Sequence, residues 1–257
     1  MIDIHSHILP GIDDGSKSFE ESMELIRSAS SNGVTDIIAT PHYIVGSDYM
    51  VNNEEKRKLL TKLKKQVQKE EIPINLYLGN EVFVENNMLE LRKKKEITTL
   101  HNSKYLLFEL PLNYKYNGIE NLLFELGCKG IIPVIAHPER YAFLKENPSL
   151  AIKLIDAGAL FQSNIGSFLG IYGKKAEETA ILLLKHHAIT FVSSDIHHKN
   201  KDFYELINKA KKVMRKYVSE EEINLLFEKN AEKILNKKEI KGTKCIPFKK
   251  NIFGKWK

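Results

Sequence analysis

Apolar positions along this chain fall into two patterns that alternate from the first residues to about residue 235. Short runs rich in β-branched and other apolar residues cover 2–5, 36–40, 75–78, 105–109, 133–136, 160–164 and 190–194. Their length and the turn residues that flank them predict buried strands. Between the runs, apolar residues recur every three to four positions, which predicts helices over 19–32, 53–71, 88–95, 119–129, 150–157, 174–187, 203–217 and 220–235. Ser18, with Glu21 three residues on, reads as a capping box, and Gly33, Gly130 and Gly158 follow helix ends as stop signals. Strands that alternate with helices predict a parallel sheet with crossover connections. Seven such units in 257 residues favour a closed α/β barrel over an open sheet.

Composition narrows the class. An apolar share of 42% with 28% charged residues is that of a soluble globular protein. No stretch approaches the ~20 apolar residues of a membrane span. The start, MIDIHSH, has no basic region followed by an apolar one, so no secretory signal is expected. Cys128 and Cys245 do not make a disulfide framework, and the expected compartment is the reducing cytoplasm. The net charge of +6 is uneven: residues 237–257 are lysine-rich, with Glu239 as their one acid. The expected organisation is therefore a domain over 1–236 and a basic tail over 237–257. Such a tail is solvated, or is drawn to an anionic membrane surface or acidic partner. No nucleic-acid partner is expected.

In barrels of parallel strands, chemistry gathers at the carboxyl ends of the strands. Here those ends are polar. The first strand runs into His5 and His7, whose i, i+2 spacing puts both imidazoles on one face of an extended backbone. Asp13 and Asp14 follow in a Gly-flanked loop. His42 stands at the end of the second strand, Glu81 at the third, Glu109 at the fourth, His137 to Arg140 at the fifth, and Asp195 and His197 at the seventh. A lone buried histidine is commonly a satisfied core residue, but the pattern repeats at six of the seven strand ends. All donors are nitrogen or oxygen, which suits Mn, Fe or Zn and excludes an all-thiolate site. The donors outnumber what one ion takes, so two or three divalent ions with bridging carboxylates are expected. Clustered dications attract anionic oxygens and lower the pKa of bound water. Arg140 offers a bidentate fork for phosphate. Hydrolysis of a phosphate ester uses all these parts.

Other chemistries lack their residues. A cysteine phosphatase needs an arginine after a five-residue gap, where Cys128 and Cys245 have Val134 and Asn251. There is no Walker A or GxGxxG element and no GxSxG nucleophile elbow. Amidohydrolase chemistry stays open, because such a barrel also begins with a His-x-His strand end.

The ordered set MIDIHSHILPGIDDG, IIATPH, GNEV, FEL, VIAHPER and VSSDIH resembles the polymerase and histidinol phosphatase (PHP) superfamily. Within it, the chain is most similar to bacterial manganese-dependent protein-tyrosine phosphatases of capsular and exopolysaccharide synthesis. The resemblance runs from residue 1 to about 236 and implies a distorted (β/α)7 TIM-like barrel. It implies one ion on His5, His7, Glu81 and Asp195, with Glu81 bridging to a second held by Glu109 and His137. A third falls to Asp14, His42 and His197, while Asp13 orients the loop. Arg140 would orient the phosphate. Related phosphatases carry a second arginine after the SDxH motif; here that segment has only Lys199 and Lys201, candidates to replace it as point charges. His101, His186, His187 and His198 lie outside the motifs and read as surface or loop residues.

The implied reaction is in-line attack of a metal-bridging hydroxide on phosphotyrosine, with Mn²⁺ as the expected ion and Fe or Zn as substitutes. The implied substrate is the tyrosine-rich tail of a membrane-bound tyrosine kinase. Two alternatives stand beside it. One is a small-molecule phosphatase such as histidinol-phosphate phosphatase; the other is a non-catalytic metal-binding regulator of polysaccharide export. The sequence carries no signal for oligomeric state.

Overall fold

The computed structural model describes residues 1–240, 244–251, 254 and 256. Each predicted strand forms within a residue or two of its expected bounds: β1 (Ile2–Ser6), β2 (Asp36–Ala39), β4 (Asn75–Leu78), β6 (Tyr105–Glu109), β7 (Ile132–Ala136), β8 (Leu160–Asn164) and β9 (Phe191–Ser193). Two short strands were outside the apolar pattern, β3 (His42–Tyr43) and β5 (Glu81–Phe83). They continue β2 and β4 past local breaks. Pro41 has no N–H to give to a ladder. A Cβ at Gly79 would meet Leu100 at 2.9 Å and Thr40 at 3.1 Å. Asn80 ties the two breaks together, donating from Nδ2 to the Pro41 carbonyl at 3.0 Å.

Among the described residues the ladders between these strands are all parallel, in the orders β1-β2-β4 and β3-β5-β6-β7-β8-β9. Because β2 runs into β3 and β4 into β5, the two sheets are successive arcs of one distorted, TIM-like (β/α)7 barrel. Across the remaining seam, the end of β1 meets the segment just after β9 through an isolated bridge between Ser6 and Ile196. The Asp195 amide donates to the His5 carbonyl at 2.9 Å and the His7 amide to the Ile196 carbonyl at 2.8 Å.

Side chains divide as a period of two requires. Ile38, Tyr105, Leu107 and Val134 face an inner cluster with Ile2, Ile4 and Phe191. Ile37, Leu106, Phe108 and Ile135 face outward onto the helices. Those helices are α1 (Phe19–Ser31), α2 (Asn53–Lys69), α3 (Met88–Lys93), α4 (Ile119–Cys128), α5 (Ala142–Glu146), α6 (Leu150–Asp156), α7 (Lys174–Lys185), α8 (Ile207–Met214), α9 (Glu220–Asn224) and α10 (Asn230–Leu235). Leu25, Leu63, Leu123 and Leu183 are fully buried from their helices, each a burial worth about 1.5–3 kcal/mol. Ser18 caps α1, accepting from the Glu21 amide at 3.1 Å, while Glu21 reaches back to the Lys17 amide rather than to Ser18. The helix predicted over 203–217 is shorter, beginning as a 3₁₀ turn at Tyr204–Leu206. That over 220–235 carries a π turn, Leu225–Lys229.

The basic segment after residue 236 lies against the barrel in its described part, with residues 241–243, 252–253, 255 and 257 outside the described residues. Tyr105 donates its hydroxyl proton to the Lys238 carbonyl and accepts from the Ile240 amide. Ile240 is buried with the inner cluster. His186, read from the sequence as a surface or loop residue, is buried instead; its ring stacks on Phe248 at 4.1 Å. Among the described residues no helix is long and apolar enough to cross a membrane.

Candidate metal centre

The wide end of the barrel, at the strand carboxyl ends, is built from β1 outward. His5 and His7 are fully buried, and each has one ring nitrogen fixed from behind. His5 Nδ1 is 2.6 Å from Gln162 Oε1, and His7 Nδ1 is 2.8 Å from Asp13 Oδ2. With Nδ1 as the donor in both rings, the two Nε2 lone pairs face each other at 3.2 Å. Glu81 Oε2 lies 3.2 and 3.3 Å from them, and Asp195 Oδ1 3.3 and 3.5 Å. Tetrahedral donors ~2.0–2.1 Å from a divalent ion stand ~3.3–3.4 Å apart, so the spacing fits a cation among these four atoms.

The remaining predicted ligands adjoin this set. His42 Nδ1 is 3.2 Å from Glu81 Oε2 and 3.4 Å from Glu109 Oε1, while its Nε2 faces Asp14 Oδ1 at 3.4 Å. His197 Nε2 lies 3.5 Å from the same Asp14 oxygen, and its ring stacks on His7 at 3.9 Å. His137 Nε2 is 3.0 Å from Glu81 Oε1 and 3.8 Å from Glu109 Oε2. Three donor groups result among the described residues: His5, His7, Glu81 and Asp195; His42, Glu81 and Glu109; and His7, Asp14, His42 and His197. All nine predicted ligand residues thus come together, with His42 between two groups and His137 on the outer edge of Glu81. Glu81 Oε2, Asp195 Oδ1 and His42 Nδ1 are buried without a hydrogen-bond partner. Buried polar atoms are rarely left so; Glu81 Oε2 and Asp195 Oδ1 beside the His5 and His7 Nε2 atoms, and His42 Nδ1 against Glu81 Oε2, fit metal ligands.

Charge in the cluster tells the same story. Burial alone would lower His5, but Glu81 and Asp195 outweigh it and raise the imidazole to about 9. His7 is raised against burial chiefly by Asp13, which itself falls to about 2 beside that imidazole. Burial, then the like charges of Glu81 and Asp195, push Glu109 up to about 9. Burial and neighbouring His7 pull His197 down to about 4. Lone acids and imidazoles so close together hold protons where a cation would otherwise neutralise them. The backbone is bent to this end as well, with left-handed φ of 33° at His137 and 53° at Asp195. Asp195 and His197 therefore do not share an extended strand as His5 and His7 do.

Above the donors lies a pocket of about 490 Å³. Arg140 lines it, donating from Nη1 to Asp195 Oδ2 at 3.3 Å with its guanidinium over the Tyr172 ring at 4.6 Å. Tyr49, Tyr172 and Phe203 give the pocket aromatic walls. Lys201 lines it too, whereas the Lys199 ammonium is held by Glu24 of α1 at 2.7 Å and faces away from the lining. Of the two candidate lysines only Lys201 reaches the pocket, because the short turn at Lys199–Lys201 directs its two ends differently.

Several supporting residues lie outside the predicted ligand set. Gln162 and Asn164 project from β8 onto the face that carries the site; Asn164 Nδ2 donates to Asp195 Oδ2 at 2.5 Å. Glu139 accepts from the Asn164 amide and from Ser167 Oγ. Their signal was present: Gln162 and Asn164 are polar at i, i+2 in an apolar strand, the spacing of His5 and His7.

Residues 1–236 match the family described as capsular polysaccharide synthesis, CpsB/CapC. The chain is 37% identical to the tyrosine-protein phosphatase YwqE of Bacillus subtilis strain 168, over 99% of each chain. It is 36% identical to a putative tyrosine-protein phosphatase CapC of Staphylococcus aureus, over 100% of this chain and 98% of that one. Among solved structures, one from work on YwqE of B. subtilis and CpsB of Streptococcus pneumoniae, described as unique metal-dependent tyrosine phosphatases, superposes with a TM-score of 0.89. It is 36% identical, covering 97% of this chain and 100% of that one.

Proposed function

The chain belongs to the CpsB/CapC family of capsular polysaccharide synthesis, and on that premise we propose that it is a metal-dependent tyrosine-protein phosphatase acting within that machinery. One observation carries the reading: the buried, unpartnered Glu81 Oε2 and Asp195 Oδ1 lie beside the paired Nε2 atoms of His5 and His7, beneath a pocket lined by Arg140. His5, His7, Glu81 and Asp195 would hold one divalent ion, Glu81, Glu109 and His137 a second, and Asp14, His42 and His197 a third. We assign them as Mn²⁺, an ion this imidazole and carboxylate set accepts as it does Fe or Zn. Such ions, when bound, supply positive charge to phosphoryl oxygens and make hydroxide available near neutral pH.

The protein's own groups do the positioning. Gln162 and Asp13 hold His5 and His7 in one tautomer and orientation. Arg140, anchored on Asp195 and flattened on Tyr172, keeps further N–H donors for phosphoryl oxygens. The aromatic walls suit the ring of a phosphotyrosine. A phenol of pKa about 10 leaves without a strong general acid. Within the capsule machinery, the substrate we put forward is a membrane-bound tyrosine kinase. The protein then works in the cytoplasm, with the lysine-rich residues 237–257 near the anionic membrane surface.

Comparing kcat/KM on a phosphotyrosine peptide and on histidinol phosphate, both with Mn²⁺, tests the substrate class. The peptide is the expected better substrate. The reverse order would move the protein to the small-molecule phosphatases.

A further inference from the structure

A second groove of about 620 Å³ lies between α5 and α7, and its character is basic. Lys145, Lys174, Lys175 and Lys185 line it, against Glu178 as the one acid of its lining. Ile181 and Leu182 lie among them, and Tyr217 and Trp256 add aromatic surface. The Lys250 ammonium adds a further positive charge, 4.7 Å from the Trp256 ring. Ion pairs do not neutralise this set: Lys174 meets Glu177 at 3.2 Å, and that is the one salt bridge among the four lysines in the described residues.

The groove begins beside the catalytic pocket. Tyr172 lines the pocket and Lys174 lines the groove, with Gly173 between them. Arg140 and Lys145 are likewise joined by a short segment that passes from one to the other. From Lys174 to Lys185 the groove follows the twelve residues of α7, roughly 18 Å at 1.5 Å per residue. An extended peptide rises ~3.3 Å per residue, so about five residues fit along it.

We infer that this groove is a docking surface for the acidic residues, or further phosphate groups, that flank the phosphotyrosine of a polypeptide substrate. The inference rests on the phosphatase reading for the residue in the pocket, and adds selection by the surrounding chain. Lysines along a half-apolar groove bind carboxylates and phosphates as point charges while the floor covers the backbone. A compact small-molecule phosphate ester has nothing to place there.

The test has a readout that does not depend on turnover. Trp256 is the chain's one tryptophan, so its fluorescence reports on the groove. The probes are a phosphotyrosine peptide with flanking glutamates and one with flanking glutamines, each also made as a non-hydrolysable phosphonate. The Mn²⁺-loaded full chain is compared with Lys174→Glu/Lys175→Glu. Glutamates in the first turn favour the helix dipole, so α7 remains formed. Lys62→Glu/Lys65→Glu on exposed positions of α2 makes the same charge change elsewhere.

The acidic peptide is expected to show the higher kcat/KM, and its phosphonate to perturb Trp256. The α7 variant should lower the acidic-to-neutral ratio about tenfold, while the α2 variant keeps it. An unchanged ratio in the α7 variant overturns the inference. So does a Trp256 response to phosphatidylglycerol vesicles with none to the acidic phosphonate, which would make the groove a membrane contact. If neither peptide is hydrolysed, the phosphatase reading fails by itself, and a Trp256 response to the acidic phosphonate alone would still support docking.

Discussion

At the scale of single residues, the site depends on groups that touch no substrate. Gln162 Oε1 accepts the His5 Nδ1 proton at 2.6 Å and so fixes which nitrogen faces the other donors. Gln162→Leu should leave the fold intact and weaken Mn²⁺ binding by about 10- to 100-fold, the usual cost of losing such a partner. Titration calorimetry on metal-stripped protein measures it, and wild-type affinity would contradict the role. The protons that the cluster would hold once its metal is stripped make a second prediction. His5 is raised from 6.5 to about 9 in the folded state, so its stabilising effect is complete below pH 6.5 and lost as pH rises through 9. Glu109, raised from 4.5 to about 9, acts in the same sense from pH 4.5 upward and so throughout that range. Buried Lys56, lowered to about 7 by burial, works the other way between 7 and 10.5, with or without metal. Bound cations replace the cluster's protons but leave Lys56 alone. The Tm gap between Mn²⁺-saturated and chelator-treated protein should therefore widen from pH 6.5 to 8.5. A gap that is constant or narrows would contradict this charge balance.

At the scale of elements, strand ends and the loops beyond them place the predicted ligands. The loop after β1 folds so tightly that a Cβ on Gly15 would stand 2.2 Å from the His7 carbonyl oxygen and 2.9 Å from Asp13 Oδ1. The first of these is backbone and cannot rotate away. Gly15→Ala should destabilise the protein by about 2 kcal/mol or more and lower metal affinity with it, since Asp13 holds His7. Chemical unfolding and metal titration check both effects together. Much at this scale was legible in the sequence. Each ligand from β1, β2, β4, β6, β7 and β9 follows a recognisable apolar run, because a parallel barrel delivers its carboxyl ends to one face. The short strands β3 and β5 were not legible, since Pro41 and Gly79 interrupt the pattern and His42 and Glu81 replace apolar residues with ligands. Nor was the left-handed turn at Asp195, which depends on contacts made elsewhere. Asp3 accepts from the Ser194 amide, the Ser194 hydroxyl and the Tyr204 hydroxyl, and these pin the chain just before that turn.

At the scale of the whole molecule, the barrel and the lysine-rich segment after it are physically joined. Composition alone suggested a tail; the stacking of Phe248 on His186 and the bond of the Ile240 amide to the Tyr105 hydroxyl involve partners some sixty and more positions away, which no local pattern encodes. Removing residues 237–257 should accordingly lower Tm by about 4 °C or more, as expected for uncovering one or two large apolar groups. The same truncation tests membrane proximity. Activity on a membrane-bound kinase should fall further than activity on p-nitrophenyl phosphate, and equal losses on the two would remove that idea.

The central claim is that the strand-end cluster holds catalytic divalent ions. Its most direct test is hydrolysis of a phosphotyrosine peptide by chelator-treated protein, before and after Mn²⁺, with bound metal counted by elemental analysis. Activity should be absent without metal and return as two or three ions bind, and His5→Ala and Asp195→Ala should not recover it. Full activity in the stripped protein, or in either variant, would contradict the account.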